Sequence, residues 1–300
     1  ARESPGGDGD LTTTLCRRFG VDASAPYALA ADDPSWDRNG FRMHADPVHL
    51  RPNRDMLRLF DGRCLGISQA EADVLVAELN AHFEGEGLHF EAPTAGRWYL
   101  RCETPVRLET APLELAVGQH VDGLLPTGPD ARRWAGLMFE AQMLLFQSSV
   151  NRHRELEGRP SVNGFWIGGG GLWQVPASDQ LPARVLADAA LARGLGQAAS
   201  ASVDALSSTM NWSHASGGTL LVWDKLLNAV LAADERAWTA TAARLERDVG
   251  AGALEALRSG RLHALSIDAC DGRRWHLSRG DLRRFWRRPR PLTSLLLPPG

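Results

Sequence analysis

Apolar positions along this 300-residue chain recur with two periods. Between residues 40 and 103 the strand period of two comes first. GFRMHADPVHL and DMLRLFDG each read as a strand, with Arg51-Pro52-Asn53 turning the chain between them. A helix follows. Ser68 to Glu71 (SQAE) forms a capping box, and Ala72, Leu75, Val76, Leu79 and Phe83 recur at helical spacing until Gly85 and Gly87 stop it. LHFEA and RWYLRC, joined across PTAG, are two more strands. The order ββαββ predicts an α+β unit over 40–103, an open sheet with a helix on one face.

The flanks are patterned differently. Residues 1–12 are polar and glycine-rich and are expected to be disordered. LTTTLCRRFGV reads as a short helix ending at Gly20, and residues 25–38 as a loop. A strong helix begins near Thr127, Pro129 and Asp130, with one apolar stripe of Trp134, Leu137, Met138, Ala141, Leu144 and Leu145. NGFWI is a short buried-type strand that runs into Gly168–Gly171. Beyond it, VLADAALARGLGQAA reads as a helix and GGTLLVWD as a strand. DERAWTATAARLERDV reads as a helix with Ala237, Ala240, Leu245 and Val249 inward, and LEALRSG as a further helical piece. RLHALSID and RRWHLS frame a hairpin around ACDG, and RGDLRRFWRR is a final helix ended by Pro289 and Pro291. Strand–helix alternation over 104–292 predicts an α/β core with a mainly parallel sheet.

Charge and cysteine content change this picture little. The net charge is −3, which gives no global case for nucleic acid or an anionic membrane. Of the 33 basic residues only Lys225 is a lysine, so nearly every cation is a planar, permanently charged fork suited to carboxylate or phosphate. Cys16, Cys64, Cys102 and Cys270 are far apart, which predicts neither a zinc cluster nor a disulfide framework and fits a reducing cytoplasm. No apolar run approaches the roughly 20 residues that span a bilayer. No secretory signal is evident, and a start at Ala1 is compatible with a missing natural N-terminus.

Three stretches carry candidate chemistry. Gly168, Gly169, Gly170 and Gly171 follow a strand, where a glycine loop lets backbone N–H groups approach an anion, although a strand-end bend would use the same residues. Arg152, Arg154 and Arg159 stand just upstream. The second stretch, RMHADPVHLRPNRD, gathers Arg42, His44, Asp46, His49, Arg51, Arg54 and Asp55. On a strand Arg42, His44 and Asp46 share one face, and a histidine with an aspartate can form an oriented base or part of a metal site; hydrogen-bonded structural roles are the other reading. Pro47 is expected to break the register before His49. The third stretch is the tail, eight arginines interleaved with Trp275, Phe285 and Trp286, which suits either phosphate contacts or an amphipathic helix with solvated arginines. Nucleophile-elbow and HExxH motifs are absent from the sequence.

ADPVHLRPNRDMLRLFDG, LPTGPDARRW, VNRHRELEGRPSVNGFWIGGGG and RFWRRPRPL together resemble the bacterial RpfE-type regulatory proteins, over about residues 40 to 292. The third segment is more distantly similar to archaeal-type cofactor-independent phosphoglycerate mutases of the alkaline phosphatase superfamily. The resemblance implies an alkaline-phosphatase-like α/β fold, a mainly parallel sheet flanked by helices with the ββαββ unit inserted. It also implies two divalent metals, Mn or Zn, and a phosphorylated serine in an active member. It places Asn151, Arg154 and Asn163 at the polar positions of the VN…R…G.P..N pattern, with Gly168–Gly171 as its glycine end. These residues, with Arg42, Arg51 and Arg152, form the expected anion-binding set.

Departures from the pattern point away from catalysis. FQSSVN lacks the histidine before VN, and the strand TLLVWD leads to Asp224 and then Asp234 with no HxGD-like group. Those two aspartates are what remains of a metal set. The expectation is therefore a regulatory or binding protein, a degenerate mutase-like chain with an anion-binding cleft for a small anionic ligand, or with a protein partner. The alternative is an active phosphomutase or phosphatase drawing on His44, Asp46 and His49. Residues 42–54 and 151–171 are expected to meet at one cleft near the C-terminal end of a parallel strand.

Overall fold

The computed structural model describes residues 2–5, 9–53, 56–121, 123–206, 218–231 and 234–283. The chain divides into two compact units. The larger holds residues 10–206 and 216–242, the smaller residues 1–9, 207–215 and 243–300. The first strand, β1 (Arg2–Pro5), belongs to the smaller unit.

In the larger unit, α1 (Leu11–Phe19) starts where Asp10 Oδ1 accepts from the Thr13 N–H at 2.6 Å. It ends at Gly20, whose φ of 69° is the left-handed conformation a helix stop requires. Helix α2 (Ala25–Asp32) stands where the sequence predicted a loop. Ala25, Tyr27, Ala28 and Leu29 are all buried, and a helix enclosed on most sides shows no apolar stripe to read.

Strand β2 (Phe41–Asn53) is longer than expected. It runs through Pro47 and through Arg51-Pro52-Asn53, the predicted turn, to β3 (Met56–Asp61). Arg54 and Asp55 lie outside the described residues. After α3 (Gly62–Leu65) comes α4 (Gln69–His82), which carries the predicted capping box: Ser68 Oγ accepts from the Glu71 N–H and Glu71 Oε2 accepts from the Ser68 N–H. β4 (Leu88–Thr94) and β5 (Arg97–Cys102) complete the ββαββ order. α5 (Leu113–Ala116), α6 (Ala131–Gln147) and α7 (Ser149–Leu156) follow, with Asp130 rather than Thr127 at the N-cap of α6.

β6 (Gly164–Gly171) contains all four glycines, so they are strand residues rather than a loop after one. β2, β3, β4, β5 and β6 form one five-stranded sheet, and every pairing in it is antiparallel. β2 is its centre. Val48 pairs with Asp61 on one side and with Gly164 on the other. Pro47 does not break this register; it is paired with Phe165.

The mainly parallel sheet expected of the core is present only in small form. β7 (Arg184–Ala187) lies between β8 (Ser202–Asp204) and β9 (Thr219–Val222), all parallel, with α8 (Ala190–Ala198) packed on it. Val185 and Ala187 were read as the start of a helix. Both are buried alternate residues of β7, and the helix begins only at Ala190. α9 (Lys225–Leu231) and α10 (Glu235–Leu245) follow. No residue of α10 is buried: Ala240 is exposed and Ala237 and Leu245 half-buried, since small alanines offer little apolar area to seat.

Two apolar layers define the larger unit. Met43 and Ala45 of β2 and Trp98 and Leu100 of β5 face a cluster with Leu75 and Leu79 of α4 and Trp134 and Leu145 of α6. A second cluster joins Leu15 and Phe19 of α1, Val185 of β7, Leu195 of α8 and Val222 of β9. Each fully buried Leu, Val or Phe contributes about 1.5–3 kcal/mol relative to exposure. Because strand side chains alternate, burying Met43 and Ala45 against α4 and α6 sends His44 and Asp46 to the opposite face.

The smaller unit is built on a hairpin. β10 (Ala264–Asp268) and β11 (Arg273–Ser278) pair antiparallel around the predicted ACDG turn, and α11 (Ala251–Ser259) packs on β10. A wider π-type turn over Glu246–Gly250 precedes α11, and Val249 within it is half-buried. The segment expected to be disordered contributes β1, paired antiparallel along β11 from Arg2 opposite His276 to Pro5 opposite Arg273. Backbone pairing to an open strand edge orders a segment that has no apolar pattern of its own. The last helix is short, α12 (Arg279–Leu282), and Phe285 and Trp286 lie outside the described residues.

Candidate functional site

A cavity of about 1060 Å³ opens in the larger unit on the His44 face of the antiparallel sheet. Its wall is made by β2, the glycines of β6, the first turn of α1, and the C-terminal ends of two parallel strands, where Asp188 follows β7 and Asp224 follows β9. Ligands of α/β proteins bind at such strand ends. Gly168, Gly169 and Gly170 of the first candidate stretch and His44 and Asp46 of the second thus line one cavity, as expected.

At three of the four glycines nothing larger fits. A Cβ on Gly169 would stand 1.9 Å from Ser24 Oγ, on Gly170 2.9 Å from Phe41 Cζ, and on Gly171 2.5 Å from the Cβ of Ala23. Gly169 also has a φ of 59°, beside the register shift between Arg42 and His44. Its carbonyl accepts from the Ser24 N–H at 3.1 Å, which seats the start of α2 against β6.

His44 and Asp46 stand side by side. His44 Nδ1 lies 3.6 Å from Asp46 Oδ2, too far for a hydrogen bond. Asp46 Oδ1 accepts from the Trp98 N–H at 3.2 Å. His44 Nδ1 is buried with no hydrogen-bond partner. Burial pushes the Asp46 carboxyl up to about 8 and the His44 imidazole down to about 4. At neutral pH the carboxyl therefore holds its proton and the imidazole is neutral. The His44 ring stacks on Tyr99 with centroids 5.3 Å apart. Tyr99 Oη donates to Asp32 at 2.7 Å, and Arg97 grips the same carboxylate with Nε and a terminal nitrogen at 2.7 and 2.6 Å. That bidentate bond raises the Arg97 pKa further above its usual value.

Cys16 also lines the cavity, and burial pushes its thiol up to about 12. A thiol held protonated in this way carries little of the thiolate that nucleophilic attack requires. Across the wall, Thr12 Oγ1 donates to Glu114 Oε1 at 2.8 Å. Asp188 is held below its ordinary value: burial pushes it up, and the Lys225 ammonium, 3.0 Å away, outweighs that.

Asp224 apart, the other predicted residues do not converge here. Arg154 is fully buried, donating to the Pro160 and Leu65 carbonyls and to Glu71. Asn151 ties Leu145 to Val162, and Asn163 bonds both the N–H and the carbonyl of Leu50. Their polar atoms hold the backbone of this hairpin-like region in place, which is why the pattern needs them. Arg42 is buried beside Glu91 at 3.5 Å and over the Trp36 ring. Arg51 and Arg152 are exposed and do not line the cavity. His49 Nδ1 lies 2.8 Å from the Ser161 carbonyl, so it carries the proton and donates there, away from His44. Asp224 lines the cavity, whereas Asp234 caps α10 by accepting from the Ala237 N–H at 2.9 Å.

Arg97, Tyr99, Asp61, Glu114 and Asp188 were missed. RWYLRC could have shown the first two, since a strand that buries Trp98 and Leu100 on one face offers Arg97 and Tyr99 to the other. The two divalent metals implied by the resemblance need several clustered ligands. Among the described residues no group of three or more His, Cys, Asp or Glu side chains is placed to hold a metal ion, so the described residues do not by themselves fit that pair. No helix among the described residues is long and apolar enough to cross a membrane.

No family model matches the chain. The chain is 27% identical over 158 residues to the 2,3-bisphosphoglycerate-independent phosphoglycerate mutase of Methanosarcina acetivorans, covering 51% of this chain and 40% of that protein. It is 27% identical over 151 residues to the same enzyme of Methanosarcina mazei, covering 50% and 35%. The match thus spans less than half the length of these relatives. Among solved structures, the PH0037 protein of Pyrococcus horikoshii aligns with a TM-score of 0.43 and 15% identity over 82% of this chain and 68% of that one. The cofactor-independent phosphoglycerate mutase of Thermoplasma acidophilum aligns with a TM-score of 0.40 and 13% identity over 93% and 79%. By sequence the chain is distantly similar to the cofactor-independent phosphoglycerate mutases.

Proposed function

We propose that this chain is a ligand-binding regulatory protein of the RpfE type, a mutase-like scaffold that keeps a cavity without the mutase's metal chemistry and acts in the cytoplasm. The observation that carries this reading is the cavity wall itself. It is roomy and mixes polar with apolar surface, and the described residues include no cluster of three metal ligands. Its occupant is a small molecule, and occupancy is what a protein partner would sense.

Metal analysis by mass spectrometry on chain purified without chelator tests the reading, together with an assay of phosphoglycerate turnover in added Mn²⁺ or Zn²⁺. The expected result is less than one bound divalent ion per chain and no turnover. About two ions per chain with metal-dependent turnover would overturn it. The second reading, a phosphomutase or phosphatase, is favoured by one observation: His44 and Asp46 stand together on the cavity wall. It requires that His44→Ala and Asp46→Asn each abolish a measured activity.

A further inference from the structure

Helix α6 carries a second apolar face that the fold does not use. Trp134, Leu137, Ala141 and Leu145 are buried in the cluster between α4 and the antiparallel sheet. On the opposite side Arg132, Gly136, Phe139, Met143 and Phe146 recur at alternating steps of four and three, the heptad spacing of a helix that pairs with another helix. Phe139, Met143 and Phe146 are 62%, 55% and 77% exposed. A helix that is apolar on both faces is ordinarily enclosed. No residue of α6 lines the cavity, so this face is a separate surface.

Register, charge and area fit this stripe to a second copy of itself. Two α6 helices packed antiparallel about a two-fold axis set Phe139 of each copy in one layer with Met143 of the other, and Gly136 with Phe146. A ring then meets a polarisable thioether, and the most exposed ring of the stripe meets a glycine with nothing within 4 Å of its missing Cβ. Arg132 and Arg133 occupy the first turn of α6, the positive end of its dipole, and the last turn holds no basic residue. Arg132 is exposed and makes no ion pair among the described residues. Antiparallel pairing carries it to the negative, carbonyl end of the other helix, whereas parallel pairing would set it against a second Arg132. Beside the stripe, Ala135 and Gln142 are uncharged, and Glu140 already has His82 at 3.7 Å. Given their exposure and the size of such side chains, the two phenylalanines and Met143 leave about 400 Å² of apolar surface in water. That equals a large patch for a monomer and is about half of what each partner of a stable dimer buries, with the rim around the stripe left to supply the rest.

We infer that the chain forms a two-fold symmetric dimer through the exposed stripe of α6, with the two helices antiparallel. The Phe139–Met143 layers lie at its centre, and the Gly136–Phe146 layers lie outside them. The dimer leaves the cavity of each copy out of the interface.

Sedimentation velocity of the full chain over a range of concentrations tests it. The wild-type chain is expected to associate to a dimer and no further. Phe139→Glu and Met143→Lys each put a charge into an apolar layer, and each should raise the dimer dissociation constant at least about tenfold. Phe146→Glu, in the outer layer, should do the same and serves as an independent variant. All three positions are exposed, and circular dichroism of each variant separates lost association from lost fold. An equimolar mixture of Phe139→Glu and Met143→Lys chains should recover the dimer. In the antiparallel register the new carboxylate of one chain faces the new ammonium of the other, while the second Phe139–Met143 layer stays native. A wild-type chain that remains monomeric, a dimer that folded variants do not weaken, or a mixture that fails to recover it would each overturn the inference.

Discussion

At the scale of single residues, His44 and Asp46 make stability depend on pH in opposite directions. The raised Asp46 pKa means that its contribution is fully present below pH 3.8, its ordinary value, and is lost as pH rises through about 8. The lowered His44 pKa means that its contribution is present above 6.5 and is lost as pH falls through about 4. Between about pH 4 and 6.5 the two contributions offset each other, so urea denaturation should show wild-type stability falling mainly between pH 6.5 and pH 8, with that fall flattened in Asp46→Asn. Glu71 behaves in the usual carboxylate sense. Burial pushes it up, but the Ser68 N–H and the Arg159 and Arg154 guanidinium groups hold it down to about 2. Its stabilisation is present above 4.5 and lost as pH falls through about 2. Glu71→Gln leaves the fully buried Arg154 without its counter-ion and should cost about 3 kcal/mol at pH 7, with the difference from wild type shrinking in acid. The sequence showed Arg154 and Asn163 as important polar positions. It could not show that their partners are backbone carbonyls and Glu71, 83 residues away from Arg154, because pairing at such separation is fixed only by packing.

At the scale of elements, close backbone approaches decide what can change. A Cβ on Gly194 of α8 would meet the Tyr27 carbonyl oxygen of α2 at 1.7 Å, and one on Gly196 would meet the Val203 and Val185 side chains of the parallel sheet at 2.8 and 2.9 Å. Gly194→Ala should therefore lower stability by about 3 kcal/mol, the upper part of the usual overpacking range. Gly136, on the exposed face of α6, has nothing within 4 Å of its missing Cβ, and there Gly→Ala should stabilise by about 1 kcal/mol through helix propensity. Paired thermal melts check both. Elements with a clear period were legible: α4 with its capping box, the α6 stripe, and the β10–β11 hairpin. α2 was not, because a helix buried nearly all round loses its stripe. β7 was not, because four residues of an alanine-rich stretch carry too little alternation to stand apart from the helix that follows.

At the scale of the whole molecule, the larger sheet is antiparallel and the parallel one has three strands, whereas alternation of strands and helices suggested the reverse weighting. The pairing of β6 with β2, more than 100 positions apart, is what the local pattern could not carry. The meeting of His44, Asp46 and Gly168–Gly170 at one cavity was nonetheless legible, because two short motifs each placed their polar or glycine residues beside a strand. In the smaller unit, deleting residues 1–9 should uncover the β11 edge that β1 covers, seen as faster amide hydrogen exchange between Arg273 and His276. Unchanged exchange there would show that β1 does not hold that edge. The glycine wall has a different consequence. Along Gly168–Gly170 a ligand meets main chain, so no rotamers are frozen when it binds and none can swing aside for a larger one. That side of the cavity selects by fixed outline and at little entropic cost, while any adaptation to a bound molecule falls to the charged side chains across from it.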